Sequence, residues 1–196
     1  MPICLLAVGG FGCFTQSHLL GMEKAPGPVK HMQSVDAANT APSTEDAVIV
    51  FVRPTGDAMA RQWSVFEIGD ENKAELVGIL ASMKKLVYRA PPGRHLFMAV
   101  AESADFMTAN LEAGKLYYVL LMATDEGLSL QPVRASEHGQ LAPRLAETKW
   151  VQTTPDSFAW ARDNAQDIEA KRFKYYGIWR HKPSFERLAL FPDDGQ

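Results

Sequence analysis

Apolar and polar positions in this chain fall into short runs separated by turn residues, a pattern that predicts strands far more than helices. Ala47-Val48-Ile49-Val50-Phe51-Val52-Arg53 is apolar at every position but the last and is stopped by Pro54, as expected of a strand covered on both faces. Residues 63–68 and 74–80 (WSVFEI and AELVGIL) flank Gly69-Asp70-Glu71-Asn72-Lys73 and predict a hairpin. Runs at 86–90, 95–101, 104–111, 116–123 and 128–133 complete a series of about eight strands at near-regular spacing, which favours an antiparallel β-sandwich. Two glycine turns punctuate the series. Pro91-Pro92-Gly93 suits a tight reversal, because proline fixes φ and glycine supplies φ > 0; Ala113-Gly114-Lys115 leads into Leu116-Tyr117-Tyr118-Val119.

The texture changes after Val133. Residues 134–145 (RASEHGQLAPRL) are polar and irregular and read as a connector. Thr154-Pro155-Asp156-Ser157 is a helix start, with a threonine N-cap, proline at the first helical position and an acid in the first turn. Phe158, Ala161, Ala165, Ile168 and Arg172 follow at helical spacing, and Gly177 is placed to end the helix. This predicts one C-terminal helix of roughly 20 residues, docking a Phe158/Ile168 stripe on the sheet.

At the other end, residues 1–14 (MPICLLAVGGFGCF) carry no charge. The run is too short to span a bilayer and matches the core of an export signal; the alternative is a first core strand. Gly10-Phe11-Gly12-Cys13 is similar to a lipobox, the small-residue box before the cysteine that is acylated in lipoproteins, and makes Cys13 the candidate lipidation site. Gly10 stands where leucine is preferred, Phe11 is large, and no lysine or arginine precedes the run. Residues 15–46, rich in Pro, Ala, Ser and Thr without apolar periodicity, read as a flexible tether. The expected organisation is therefore a signal over 1–14, a tether over 15–46, a β-sandwich over 47–133, and a connector with its helix over 134–196.

The strand ending in Arg53-Pro54, the VFEIGDENKAELVGIL hairpin, APPGRHLFMAV, and the turn into Tyr117-Tyr118-Val119 together resemble the DUF2846 family of bacterial envelope proteins. The resemblance covers residues 47–133. It implies a PEGA-type β-sandwich of immunoglobulin or transthyretin character, a cell-envelope location in the periplasm or outer membrane, and no particular activity.

Charge and cysteine content narrow the classes further. A formal net charge of -3 argues against a general affinity for nucleic acid, which needs a positive footprint. The only cysteines, Cys4 and Cys13, precede the tether, which excludes a disulfide or cysteine-zinc site within the folded region. None of the five histidines is spaced from another histidine or a cysteine as a metal ligand, and nucleophile-elbow and phosphate-loop motifs are absent. Neither a catalytic residue, a metal nor a cofactor is assigned.

Three features carry candidate chemistry. His95, after the PPG turn, is either a base or ligand contact at a loop end or a residue tying the turn backbone in place. Glu67, Asp70 and Glu71 are either an acid/base or calcium cluster or solvated turn carboxylates. Residues 171–187 (KRFKYYGIWRHKPSFER) hold six Lys/Arg against one Glu, interleaved with aromatics. Lys171, Lys174 and Arg180 are the candidate contacts to anionic lipid or envelope polymer; the alternative is that these cations complement a helix dipole while the aromatics pack inward. The expected function is a non-catalytic binding or structural module of the envelope, with a hydrolase of envelope polymers, its site assembled from sequence-distant residues, as the alternative.

Overall fold

The computed structural model describes residues 30–54, 62–69, 73–125 and 127–196. Cys4, Cys13, His18, Asp70 and Glu71 lie outside them. The described chain is mainly β, built as two mixed sheets with helices added. The first sheet runs in the order β1 (Met32–Val35), β10 (Lys149–Thr153), β5 (Lys84–Ala90), β2 (Ala47–Arg53), β8 (Leu116–Thr124), β9 (Gly127–Pro132). The second runs β11 (Ala189–Leu190), β7 (Ala104–Leu111), β6 (Gly93–Val100), β3 (Trp63–Ile68), β4 (Ala74–Leu80).

Period-two alternation sorts these strands into layers. Ile49, Phe51, Tyr117, Val119 and Leu121 from the first sheet join Val65, Phe97, Ala99, Met107 and Leu111 from the second in one buried cluster. The opposite phase of the first sheet, Val50, Val52 and Leu120, is covered by Val133 and Leu141. The opposite phase of the second sheet, Phe66, Met98, Val100 and Phe106, is covered by helical residues Ile168 and Trp179. Every residue of β2 is buried, because its two faces belong to two different clusters.

The β3–β4 hairpin forms as the alternation predicts, closed by Gly69 N donating to Lys73 O at 3.0 Å. The two glycine turns are not hairpins within a sheet. Pro91-Pro92-Gly93 carries the chain from β5 in one sheet to β6 in the other, and Gly114 helps carry it back from β7 to β8. Gly93 has φ +130 and Gly114 φ +77, so both do need glycine's freedom.

The expected antiparallel arrangement with one helix is corrected on both counts. β2 pairs with β8, β10 with β5, and β11 with β7 in parallel, because strands returning from the other sheet or from the helical region enter in the same direction as their neighbours. Three α-helices are described: α1 (Ala142–Glu147), which follows a 3-10 segment within the expected connector, α2 (Pro155–Asp163) and α3 (Ala165–His181). Thr154 and Pro155 open α2 as predicted, with Ser157 Oγ accepting from Thr154 N at 2.9 Å. Asn164 divides α2 from α3; its side-chain amide donates to Trp160 O at 2.8 Å and competes with the helix ladder. Gly177 lies inside α3, which runs on to His181. Ile168 docks on the sheet as expected, whereas Phe158 is 45% exposed and Trp179 takes the second anchoring position. Within the span read as a tether, Met32–Val35 forms β1 and pairs with β10.

Candidate functional site

Two side-chain clusters combine charge with burial. The first lies at the sheet crossing marked by Pro91. Glu67 on β3 accepts hydrogen bonds from the Tyr88 hydroxyl on β5 and from His95 Nδ1 on β6, so one carboxylate ties both sheets together. His95 Nε2 donates to Pro91 O at 2.9 Å. Both partners of the imidazole are acceptors, which favours the doubly protonated ring; the Glu67 hydrogen bond raises the His95 pKa and in turn lowers that of Glu67. Phe97 lies between them, stacked on His95 at 6.0 Å and edge-on to Tyr88 at 6.0 Å. Burial and the same carboxylate push the Tyr88 hydroxyl well above its ordinary value. With both ring nitrogens engaged and its side chain only 7% exposed, His95 is a tie between turn and sheets.

The second cluster is a cleft of about 570 Å³ between β7, the β8–β9 turn and α3. Asp105 sits on β7 in phase with Met107, Ala109 and Leu111, the core-facing residues of that strand. Its Oδ2 accepts from Leu130 N of β9 at 3.0 Å, reaching from one sheet to an edge strand of the other. Burial raises the Asp105 pKa, and hydrogen bonds from the Leu130 and Phe106 amides, the charge of Lys182 and the Ser129 hydroxyl offset part of that rise. Asp125, Tyr175, Trp179, Lys182 and Glu186 share the cleft, giving three carboxylates against one ammonium among the described residues. Among the described residues the buried Trp179 indole N–H has no partner. Its ring is already packed by Phe106 at 5.8 Å, Tyr176 at 5.7 Å and the Arg187 guanidinium at 5.5 Å. The cleft thus offers acceptors for hydroxyl or amine groups, one ammonium donor and an aromatic wall.

The sequence candidates fall in different places. Lys171 on α3 donates to Ala101 O at 2.7 Å and pairs with Asp167 at 2.8 Å. Lys174 and Arg180 are exposed, whereas Lys171 is half-buried. His138 lies against the Tyr118 ring, with Nδ1 3.2 Å from Gln196 Oε1. Among the described residues no group of three or more His, Cys, Asp or Glu is placed to hold a metal. Asp105 escaped the sequence reading, although a carboxylate at the inward phase of ADFMTANL is the signal that would have found it.

A scan against protein-family models finds no matching family, and no curated protein is detectably similar to this chain.

Proposed function

We propose that this chain is a cell-envelope accessory module of the β-sandwich, immunoglobulin- or transthyretin-like type, exported and anchored through Cys13, and that it binds an envelope component without transforming it. The observation that carries the binding reading is the Asp105 cleft, where acceptors, one ammonium and an aromatic wall converge at the join of the two sheets. The uncharged segment 1–14 with its Gly12-Cys13 pair, and the likeness of residues 47–133 to DUF2846 envelope proteins, support the location. Three carboxylates against Lys182 suit a ligand rich in hydroxyl and amine groups, such as an amino-sugar polymer, and disfavour nucleic acid.

Titrating the full chain with glucosamine oligomers tests the reading by NMR. The Trp179 indole proton and the Leu130 amide should shift together, and the Asp105→Asn variant should lose both shifts. Titration without either shift refutes the assignment of the cleft. Location is tested separately by fatty-acid labelling in cells: Cys13→Ser should lose the label, and equal incorporation in both proteins refutes the anchor.

One observation favours hydrolysis as a second reading: Asp105, held toward its protonated form by burial, shares the cleft with Asp125 and Glu186, the acid-and-carboxylate combination that glycoside cleavage uses. Release of reducing ends from an envelope polymer that stops in Asp105→Asn supports hydrolysis. Binding without release supports the module.

A further inference from the structure

We propose that the outer face of α3 and the loop beyond it form a docking surface for an anionic lipid bilayer, bordering the Asp105 cleft at Ile178. Ile168, Arg172 and Trp179 define the side of α3 that is buried on the second sheet. Away from that side, Phe173 is 77% exposed and Ile178 55%; Phe185, just beyond the helix, is 86% exposed. Large exposed apolar side chains grouped on one side of a chain are a feature of interaction faces. They alternate with exposed cations: Lys174 and Arg180 lie between Phe173 and Phe185. Among the described residues neither Lys174 nor Arg180 takes part in an ion pair, whereas Lys171 and Arg172 are held by Asp167 and Glu169.

Charge and shape together choose the occupant. Projecting rings and an aliphatic tip flanked by unpaired cations are the complement of an acyl boundary beneath anionic headgroups. A second copy docked through a twofold axis on this face would gather both copies of Lys174 and Arg180 into one interface. A single-stranded nucleic acid would stack on Phe173 and Phe185 but leave the exposed Ile178 without a matching partner. No helix among the described residues is long and apolar enough to cross a membrane, so α3 would lie along the bilayer surface.

The test is co-sedimentation of the full chain with vesicles of phosphatidylcholine alone or mixed with phosphatidylglycerol, each at low and high salt. Wild type should sediment with the anionic vesicles at low salt and lose that excess as salt shortens the Debye length. A Lys174→Glu/Arg180→Glu double variant should bind anionic vesicles less tightly by about fivefold or more per cation. Phe173→Ser/Phe185→Ser should weaken binding while leaving the salt dependence in place. Segment 1–14 carries no charge, so any binding it adds is common to wild type and variants and insensitive to salt. Circular dichroism should be unchanged in both variants, since the substituted side chains are exposed. Partition of both variants equal to wild type in all four conditions overturns the proposal. So does a lipid-free dimer that Phe173→Ser/Phe185→Ser dissolves, which would assign the face to a second copy. Neither result bears on the glucosamine titration, because the cleft retains Asp105 and Trp179 in every variant.

Discussion

Replacing Glu67 by glutamine should cost the fold about 2 to 3 kcal/mol at mildly acidic pH, the scale of one hydrogen bond to a charged group. The glutamine keeps the shape and one acceptor oxygen, so the Tyr88 hydroxyl retains a partner. It removes the negative charge that holds His95 protonated, and its NH₂ group cannot accept from His95 Nδ1. The pH profile gives the sharper test. His95 has its pKa raised, so its contribution is full below the ordinary histidine value of 6.5 and is lost as pH climbs through the folded-state value. Glu67 has its pKa lowered, so its contribution is full above the ordinary value of 4.5 and is lost as pH falls through the folded-state value. The pair therefore adds most between those two ordinary values. Urea unfolding across this range should show the wild type losing stability on both sides of the window, while Glu67→Gln runs flatter. In a chain of this size the loss corresponds to a fall in melting temperature of about 4 to 12 °C. A variant with the wild-type midpoint, or with an unaltered pH profile, would refute the account of His95 as an imidazolium tie. A His95→Leu variant completes a double-mutant cycle, and additivity of the two losses would refute the pairing itself.

Gly93→Val should destabilise by about 1 to 3 kcal/mol in urea unfolding, and Gly93→Ala by a similar amount, because φ is +130 and an added Cβ would meet nothing within 4 Å. A loss seen only with valine would show that crowding, not backbone conformation, is responsible. Arg53→Ala should cost about 2 to 5 kcal/mol, since the side chain is fully buried, donates to Leu80 O at 3.0 Å and lies 3.9 Å from the Trp63 ring centre. Its pKa, lowered by burial to about 10, leaves it charged at neutral pH, so Arg53→Met should lose the polar contact while keeping most of the volume and should fall between wild type and alanine. Asp105→Asn should behave in the opposite way to Glu67→Gln. A raised carboxyl pKa means that stability is lost as pH rises from the ordinary 3.8 through the folded-state value, so the amide should make the chain more stable at neutral pH, with the gain vanishing in acid. Equal stability at neutral pH would contradict the burial argument.

Local pattern in the sequence identifies strands well and their partners poorly. Ala47–Arg53 announces its two-sided burial through an unbroken apolar run, and WSVFEI and AELVGIL announce their hairpin because the turn lies between them. The sheet to which each strand belongs is a long-range property. Pro91-Pro92-Gly93 looks the same whether the chain doubles back within one sheet or crosses to the other, and only Glu67, brought beside His95 and Tyr88 by that crossing, distinguishes the two. MQSV and KWVQT are short and half polar, and each gains its strand character from its neighbour. Asp105 and Lys182 meet across a cleft that no spacing along the chain encodes. The cationic segment is the reverse case: composition flagged it, and the partners Ala101 O and Asp167 then separate Lys171 from the exposed Lys174 and Arg180.

The position of β10 between β1 and β5 fixes an order of events for a chain made or threaded from its amino terminus. When β5 and β2 have emerged and paired, the outer edge of β5 stays open until Lys149–Thr153 arrives, and Met32–Val35, which precedes both, does not meet its β10 partner until then. The neighbouring turns offer no substitute, because each passes the chain to the opposite sheet. An unpaired strand edge persisting for that interval invites mispairing with other chains. High-separation contacts of this kind also slow the closing step of folding. A nascent chain of this topology thus gains from a holding partner until its last third is available, and its vulnerable interval ends when KWVQT inserts between its two neighbours.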